Sequence, residues 1–390
     1  MPKRARPFGF GLVTADEAFP QVVAMKDFSR RLITWHRRHG RHDLPWQRTR
    51  DPYPIWLSEV MLQQTQVGTV IPYYERFRAR FPNVTSLARA SLEDVLRLWA
   101  GLGYYSRGRN LHRAARAILD EHHGVFPEQR IELQALPGVG RSTAAAIAVF
   151  AFGAREAILD GNVKRVLARH FAVGGLTANK AVENVLWSLA ESLMPKRGVQ
   201  TYTQALMDLG ATVCTRASPG CGRCPLASSC AALAGGRVAA YPVRRPRRTT
   251  PVRSVVMLLL MRQGKILLEQ RPPSGIWGGL WSFPEMPADG ELRAHCAARL
   301  GCEVGKPLAL QPLRHAFTHF TLDIRPCRCE VSRLMPRAGQ PGTAWFDLEQ
   351  ARQAGVPVPV KKLLAMLRGQ EAVRADRRLR TDEKPSVRNR

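Results

Sequence analysis

The run from Leu136 to Leu167, LPGVGRSTAAAIAVFAFGAREAILDGNVKRVL, limits most strongly what this chain can fold into. Leu136-Pro137-Gly138-Val139-Gly140 separates two helical patterns with a turn too short and too lightly substituted for anything but a tight corner. Its glycines let successive backbone N–H groups point at one incoming anion, and a DNA phosphate fits such a nest. About twenty residues on, Asp160-Gly161 breaks the chain before a second helical pattern beginning Asn162-Val163-Lys164. A carboxylate therefore stands at a helix entrance, spaced to lie beside a clamped backbone.

A chain of 390 residues, 45% apolar and 23% charged, reads as globular with two domains or more. The formal net charge of +28 favours a polyanion, with affinity that falls as salt rises. Part of that charge lies in Arg244-Arg245-Pro246-Arg247-Arg248 and after Gly369, where a solvated linker and a disordered end explain it equally well. The longest apolar run, Val255–Met261, is far below the ~18 residues of a membrane-spanning helix. The basic start has no apolar h-region and carries Asp16 and Glu17, so the expected location is cytoplasmic. In that reducing setting the eight cysteines are expected as ligands or buried small residues.

Residues 1–25 carry little periodic signal and are expected as a flexible basic lead. From 26 to 235 the patterns are helical: Asp27–His39, Tyr53–Phe81, Leu92–Trp99, Arg107–His122, Ile131–Leu136, Arg141–Phe152, Asn162–Phe171, Lys180–Leu193 and Gln200–Gly210. This part is expected to be an all-α domain. A Pro/Arg-rich linker follows at 236–251, and then the texture changes. Ser254–Met261, Lys265–Glu269 and Phe317–Arg325 read as strands, with Gln263-Gly264 as a hairpin turn. Helical patterns at Glu291–Leu300 and Lys361–Leu367 complete a small α+β domain over 252–368, before a basic, disordered tail at 369–390. No internal repeat is present.

The Ile55–Leu62 pattern is apolar almost all round and so predicts a buried helix, yet it carries Glu59. A carboxyl among Ile55, Trp56, Leu62 and Gln63 is desolvated, which raises its pKa and suits it to donate a proton near neutral pH. A buried Glu satisfied by an arginine or a helix terminus gives the same pattern. Asp160 likewise reads either as a plain helix cap or as a free carboxylate with Asn162 capping in its place. Two carboxyls in different environments suit cleavage of a glycosidic bond, one protonating the leaving group and the other steadying the sugar cation.

Cys214, Cys221, Cys224 and Cys230 form C-x6-C-x2-C-x5-C, a four-thiolate set that serves either structural zinc or an iron–sulfur cluster. Arg216 and Arg223 lie in the loops it would pin, as phosphate contacts. Cys296, Cys302, Cys327 and Cys329 show no such array and read as structural.

These residues resemble a known family. LPGVG, ILDGNVKRVL and the cysteine spacing are similar to the helix-hairpin-helix DNA glycosylases, in which the four cysteines hold a [4Fe–4S] cluster. Where the bifunctional endonuclease III branch has a Schiff-base lysine just after the hairpin, this chain has Arg141-Ser142. WLSEVMLQQTQV (Trp56–Val67) and GLGYYSR (Gly101–Arg107) resemble the signatures of MutY-type adenine DNA glycosylases. LLEQRPPSGIWGGLWSFPE resembles the Nudix fold, but the Glu291–Leu300 helix lacks the clustered glutamates that bind metal, so no Mg-dependent Nudix chemistry is expected.

The resemblance implies a monofunctional adenine DNA glycosylase of base excision repair, acting on adenine paired with 8-oxoguanine or guanine. Glu59 would protonate adenine N7, and Asp160, with Asn162 nearby, would stabilise the oxocarbenium ion, either electrostatically or through a covalent sugar intermediate. Gly138, Val139 and Gly140 would grip the backbone. Gln64 and Thr65 would probe the base opposite adenine, with Tyr104 as the inserted wedge, although a core aromatic reads the same way. Trp46, Leu62, Val67 and Gln204 would line the adenine pocket, and Phe317-Thr318-His319 would read 8-oxoguanine. Lys164 is read as a solvated or phosphate-facing lysine. The expected partner is double-stranded DNA carrying such mispairs, with no membrane; the chain is expected to act as a monomer, associated with a bacterial nucleoid through DNA. A non-catalytic DNA-binding scaffold, a bifunctional lyase and a nucleotide pyrophosphatase are the rival readings.

Overall fold

The computed structural model describes residues 22–244, 249–335 and 342–369. Most of the expected basic lead, most of the Arg244–Arg248 run and nearly all of the basic tail lie outside these residues; the end of the lead, 22–25, opens the Val22–His39 helix instead. By contacts the chain falls into two units. One takes the residues up to 60 together with those from 126 to the linker; the other joins 61–125 to the C-terminal region.

The first unit is helical. Its core packs Leu32 from the Val22–His39 helix against Val163 and Leu167 of Gly161–His170, Leu186 of Lys180–Ser192 and Leu206 of Val199–Asp208. Val199–Asp208 runs straight into a π-helical turn, Leu209–Val213, that delivers Cys214. Gly210 in that turn lies against Asn162: a Cβ there would fall 2.6 Å from the Asn162 Cβ. Arg165 fastens the same junction, donating to the carbonyls of Gly210 at 2.6 Å and Cys214 at 2.7 Å and to Asn162 Oδ1 at 2.8 Å. The cysteine loop is thus packed on the helix that Asp160 opens.

The expected single helix Tyr53–Phe81 is two helices, Pro52–Leu62 and Val67–Arg80. Between them Gln64 takes φ 57°, a left-handed conformation that an uninterrupted helix excludes. The apolar pattern runs through the break because both helices bury a face, which is why periodicity alone missed it. A short helix, Val84–Ala88, capped by Asn83, also lay below its reach.

In the C-terminal region the described strands form one nine-stranded sheet: β1 (Val252–Arg262), β2 (Lys265–Gln270), β3 (Trp281–Ser282), β4 (Glu285–Pro287), β5 (Cys302–Val304), β6 (Leu308–Ala309), β7 (Leu313–Ala316), β8 (Thr321–Leu334) and β9 (Thr343–Asp347). β1 and β8 run parallel at its centre. From Val255 to Met261 β1 is apolar without interruption, and over Met257–Met261 both its faces are covered: Met257, Leu259 and Met261 join one core, Leu258 and Leu260 the other. Gln263 and Gly264, at φ 51° and 74°, make the tight β1–β2 hairpin. The expected strand Phe317–Arg325 begins only at Thr321. Phe317 N–H donates to Phe320 O at 2.8 Å, closing a turn instead.

This sheet is tied to the 61–125 helices within the same unit. Leu96, from the Leu92–Trp99 helix, completes the first sheet core. Trp281 Nε1 donates to Glu93 at 2.7 Å, and Arg109 to the Gly278 carbonyl at 2.8 Å. Among the described residues no helix is long and apolar enough to cross a membrane.

Gly210→Val is expected to lower stability by about 1–3 kcal/mol, the range for overpacking a filled contact, as read by thermal melting. Gly161→Ala, where an added Cβ meets nothing within 4 Å, serves as the neighbouring control.

Candidate active site

The Pro52–Leu62 helix is buried as its composition demands, with Trp56, Leu57 and Met61 fully enclosed. Glu59 lies on the side of this helix that opens into a cavity of about 350 Å3. Trp46, delivered by the Pro45–Arg48 3-10 helix, lines the same cavity, as do Gln204, Arg41, His42 and Ser58. Its size falls in the range of small-molecule sites. Burial, with the nearby charge of Asp160 as a second cause, pushes the Glu59 carboxyl up to about 8. At neutral pH it therefore holds a proton.

Asp160 caps the Gly161–His170 helix, its Oδ1 accepting from Val163 N–H at 2.7 Å. Of the two readings the sequence left open, the plain Asp160 cap is the one observed: Asn162 lies inside the helix, its Oδ1 taken by Arg165. Burial raises the Asp160 pKa, while N–H groups of Val163 and Asn162 and the charges of Arg165 and Lys164 pull it down. Capping and proximity to Glu59 thus coexist in one carboxylate. Ser142, at the position of the bifunctional branch's lysine, accepts from Leu159 N–H at 3.0 Å and so steadies the approach to Asp160. Lys164, read from the sequence as solvated or phosphate-facing, is half-buried and pairs with Glu183 at 2.8 Å.

The hairpin presents backbone. Leu136 and Val139 are buried anchors, whereas Gly138 and Gly140 are exposed, and Gly138 adopts φ 79°, which favours glycine. The Arg141–Phe152 helix that follows begins at Gly140 with no side-chain cap, and its N-terminus carries the positive end of the helix dipole.

The thiols of Cys214, Cys221, Cys224 and Cys230 come close enough to influence one another. Burial first, then the other three thiols, pushes Cys224 up to about 11. Arg169, buried, donates to Cys214 Sγ at 3.3 Å and to the Thr215 carbonyl at 2.7 Å. By type, four soft thiols with a cation beside them are the donor set of an iron–sulfur cluster. Among the described residues no group of three or more His, Cys, Asp or Glu is arranged to hold a metal ion. Arg216 and Arg223 are exposed on the same loop.

The remaining four cysteines, read from the sequence as structural, lie in the core of the C-terminal region. Cys296, Cys302, Cys327 and Cys329 come from a helix and two strands but pack into one apolar cluster, with Cys327 Sγ 3.9 Å from Cys329 Sγ. Spacing missed the gathering because the sheet, not the chain, makes it.

Residues 57–192 match the HhH-GPD superfamily of base excision DNA repair proteins, and residues 255–366 match the NUDIX domain. An adenine DNA glycosylase of Buchnera aphidicola (subspecies Baizongia pistaciae) is 35% identical over 342 residues, covering 87% of this chain and 97% of its own. A human adenine DNA glycosylase is 36% identical over 423 residues, covering 92% and 77%. The chain belongs to the MutY-type adenine DNA glycosylases. Among solved structures, a thermostable thymine-DNA glycosylase is similar, with a TM-score of 0.49 and 29% identity, over 54% of this chain and 97% of that one. Helix-hairpin-helix glycosylases of this superfamily are typically iron–sulfur proteins.

Of the pocket residues that the family resemblance implied, Trp46, Glu59 and Gln204 line the cavity; Leu62 and Val67 do not, and group by contacts with the second unit. In that unit Gln64 is exposed at the helix break, with Thr65 beside it half-buried. Tyr104 is 43% exposed at φ 47°, which removes the core-aromatic alternative. Its hydroxyl lies 3.3 Å from Thr318 Oγ1, in the turn where Thr318 and His319 are exposed and Phe317 stacks on Phe320. Arg107 ties these loops. Its guanidinium donates to the carbonyls of Met61 at 2.7 Å, Gln63 at 2.6 Å and Gly103 at 3.2 Å and to Thr65 Oγ1 at 3.1 Å, with its Cζ 5.3 Å from the Tyr104 ring centre. Its role was absent from the sequence reading, where it was only the last letter of GLGYYSR.

Two outcomes follow from this geometry. Arg107→Ala, which strips several charge-assisted hydrogen bonds from buried carbonyls, is expected to cost roughly 3 kcal/mol in denaturant unfolding. The folded chain keeps the Glu59 proton that the unfolded chain releases from its ordinary 4.5, so the stability that this proton brings is full below that value and is lost as pH climbs through about 8. Glu59→Gln is therefore expected to melt higher than the native chain by a margin that widens between acidic and mildly alkaline buffer; an equal margin throughout refutes the burial effect.

Proposed function

We propose that this chain removes adenine from duplex DNA where it is paired with 8-oxoguanine, and more weakly where it is paired with guanine, leaving an abasic site. The observation that carries this reading is Glu59: a carboxyl held protonated near neutral pH at the wall of a cavity, with the carboxylate of Asp160 in electrostatic reach. Adenine flipped from the helix occupies that cavity. Glu59 donates its proton to N7, the C1′–N9 bond breaks with its electron pair passing to the base, and Asp160 stabilises the cation left on the sugar. Water attacks C1′ and gives up a proton to the Glu59 carboxylate.

The Leu136–Gly140 hairpin binds the DNA backbone through its N–H groups and the uncapped helix behind it. Gln64 and Thr65 probe the opposite base, Tyr104 wedges into the stack, and the Phe317–His319 turn reads 8-oxoguanine. The Tyr104–Thr318 contact supports a link between wedge and reader. Cys214, Cys221, Cys224 and Cys230 are the residues that would hold a [4Fe–4S] cluster, which when bound cross-links the loop bearing Arg216 and Arg223. Purified protein is expected to contain iron and acid-labile sulfide; stoichiometric zinc in their place overturns that assignment.

Hydrolysis without strand cleavage is supported by Ser142 at the lysine position and by the Lys164–Glu183 pair, which occupies an amine whose charge reaches Asp160. Glu291 caps its own helix through Ala294 N–H at 2.8 Å, and that helix carries no other carboxylate, which weighs against pyrophosphate hydrolysis.

The test is single-turnover cleavage of duplex with adenine opposite 8-oxoguanine or thymine, with and without alkali. Alkali-dependent breakage of the mispaired duplex alone is expected. The rate should fall above about pH 8 as Glu59 loses its proton, and fall again in acid as Asp160 gains one. Glu59→Gln should lose roughly 10²–10⁴-fold in rate while still binding DNA. Breakage without alkali favours a lyase, and firm binding without breakage favours a scaffold.

A further inference from the structure

Asp208 ends the Val199–Asp208 helix and is buried, 1% exposed. Its Oδ2 accepts from the Arg41 backbone N–H at 2.8 Å, with His36 Nε2 3.3 Å away. Its Oδ1 accepts from Arg41 Nε at 2.9 Å and Nη2 at 2.5 Å, and from Gln204 Nε2 at 2.9 Å. Burial alone raises its pKa, but the donors of His36 and Arg41 outweigh that and hold the carboxyl below its usual range. Asp208 is therefore an anion that can only accept.

That property decides a question that side-chain shape leaves open. The two ends of a glutamine amide are nearly alike in size, and the network around them fixes which end faces where. Asp208, one helical turn on, admits only the NH2 end of Gln204. The oxygen end is left for the cavity that Gln204 shares with Glu59.

We propose that Asp208 is a positioning residue that fixes Gln204 with its oxygen toward the base, so that the site selects a 6-amino purine and rejects a 6-oxo purine. This rests on the adenine-excision reading above. The major-groove edge of adenine offers N7 as acceptor and N6–H2 as donor, whereas guanine and hypoxanthine offer two acceptors, N7 and O6. Protonated Glu59 matches N7 in every case. A fixed Gln204 oxygen matches N6–H2 and opposes O6, a discrimination of roughly 5- to 150-fold.

The experiment compares single-turnover release of adenine and of hypoxanthine from one duplex, each placed opposite 8-oxoguanine, using the full chain. The native protein is expected to favour adenine by at least roughly tenfold. Asp208→Ala, which removes the acceptor that holds the NH2 end of Gln204, should bring the ratio to within about threefold of one or invert it, in protein whose circular dichroism is unchanged. A folded Asp208→Ala variant with the native ratio overturns the inference. Should that variant not fold, Gln204→Glu and Gln204→Leu decide with Asp208 intact. Glu presents oxygen whichever way it lies, so it should keep the native ratio within about threefold, whereas Leu should erase the preference. A Gln204→Glu ratio raised about tenfold or more means that the native amide shows nitrogen to the base, which overturns the inference. A native chain that releases neither base removes the excision reading, and this inference with it.

Discussion

The desolvation of one carboxyl, Glu59, is the constraint on which the rest of the site depends. An ionisable group on a helix that is apolar all round opposes folding at any pH where it would prefer to ionise. The chain has not relieved that cost with an arginine: the charge that most affects Glu59 is a second carboxylate, Asp160, which raises its pKa further. Stability elsewhere has to carry this arrangement. The supply is visible in the surrounding core, where Leu32, Val163, Leu167, Leu186 and Leu206 are fully or almost fully enclosed, and in the Arg165 contacts that bind the Asp160 helix to the cysteine loop.

Three carboxyls of the first unit show how environment assigns chemistry to identical groups. Glu59 has burial and a like charge, and stays protonated. Asp160 is nearly as enclosed, but backbone N–H groups and two nearby cations offset part of the burial. Asp208 is buried too, and the His36 and Arg41 donors reverse the effect of burial altogether. A proton donor, a partly compensated carboxylate and a fixed anion follow from what each oxygen meets, and the residue type predicts none of the three.

Local chemistry made much of this legible before any coordinates. Apolar periodicity marked the helices, the Ser254–Met261 run marked a strand, and Gln263-Gly264 marked its hairpin. Glu59 stood out because a carboxyl contradicts its own helix face, and Asp160 because it precedes Gly161 at a helix entrance. What stayed hidden depends on contacts distant in sequence. Asp208 gains its meaning from Arg41, 167 positions away, and Arg107 from carbonyls at 61 and 63. The four C-terminal cysteines meet only once β5, β8 and the Leu292–Leu300 helix have assembled. Periodicity reports which face of an element is buried, and says nothing of what lies across from it.

The break at Gln64 shows how such distant contacts become function. Two buried helices in succession gain nothing from an interruption, since a left-handed residue costs on the order of 1–3 kcal/mol. The interruption persists because Arg107 binds the carbonyls of Met61 and Gln63, which a continuous helix would have used internally, and also the hydroxyl of Thr65. The same guanidinium reaches Gly103, beside the left-handed Tyr104. One buried cation therefore stabilises two strained corners at once, each of which exposes a side chain that a regular helix would have buried or turned aside. Substituting the exposed residue leaves such a corner intact, whereas substituting the cation releases both, so the two kinds of change separate contact with DNA from the geometry that permits it.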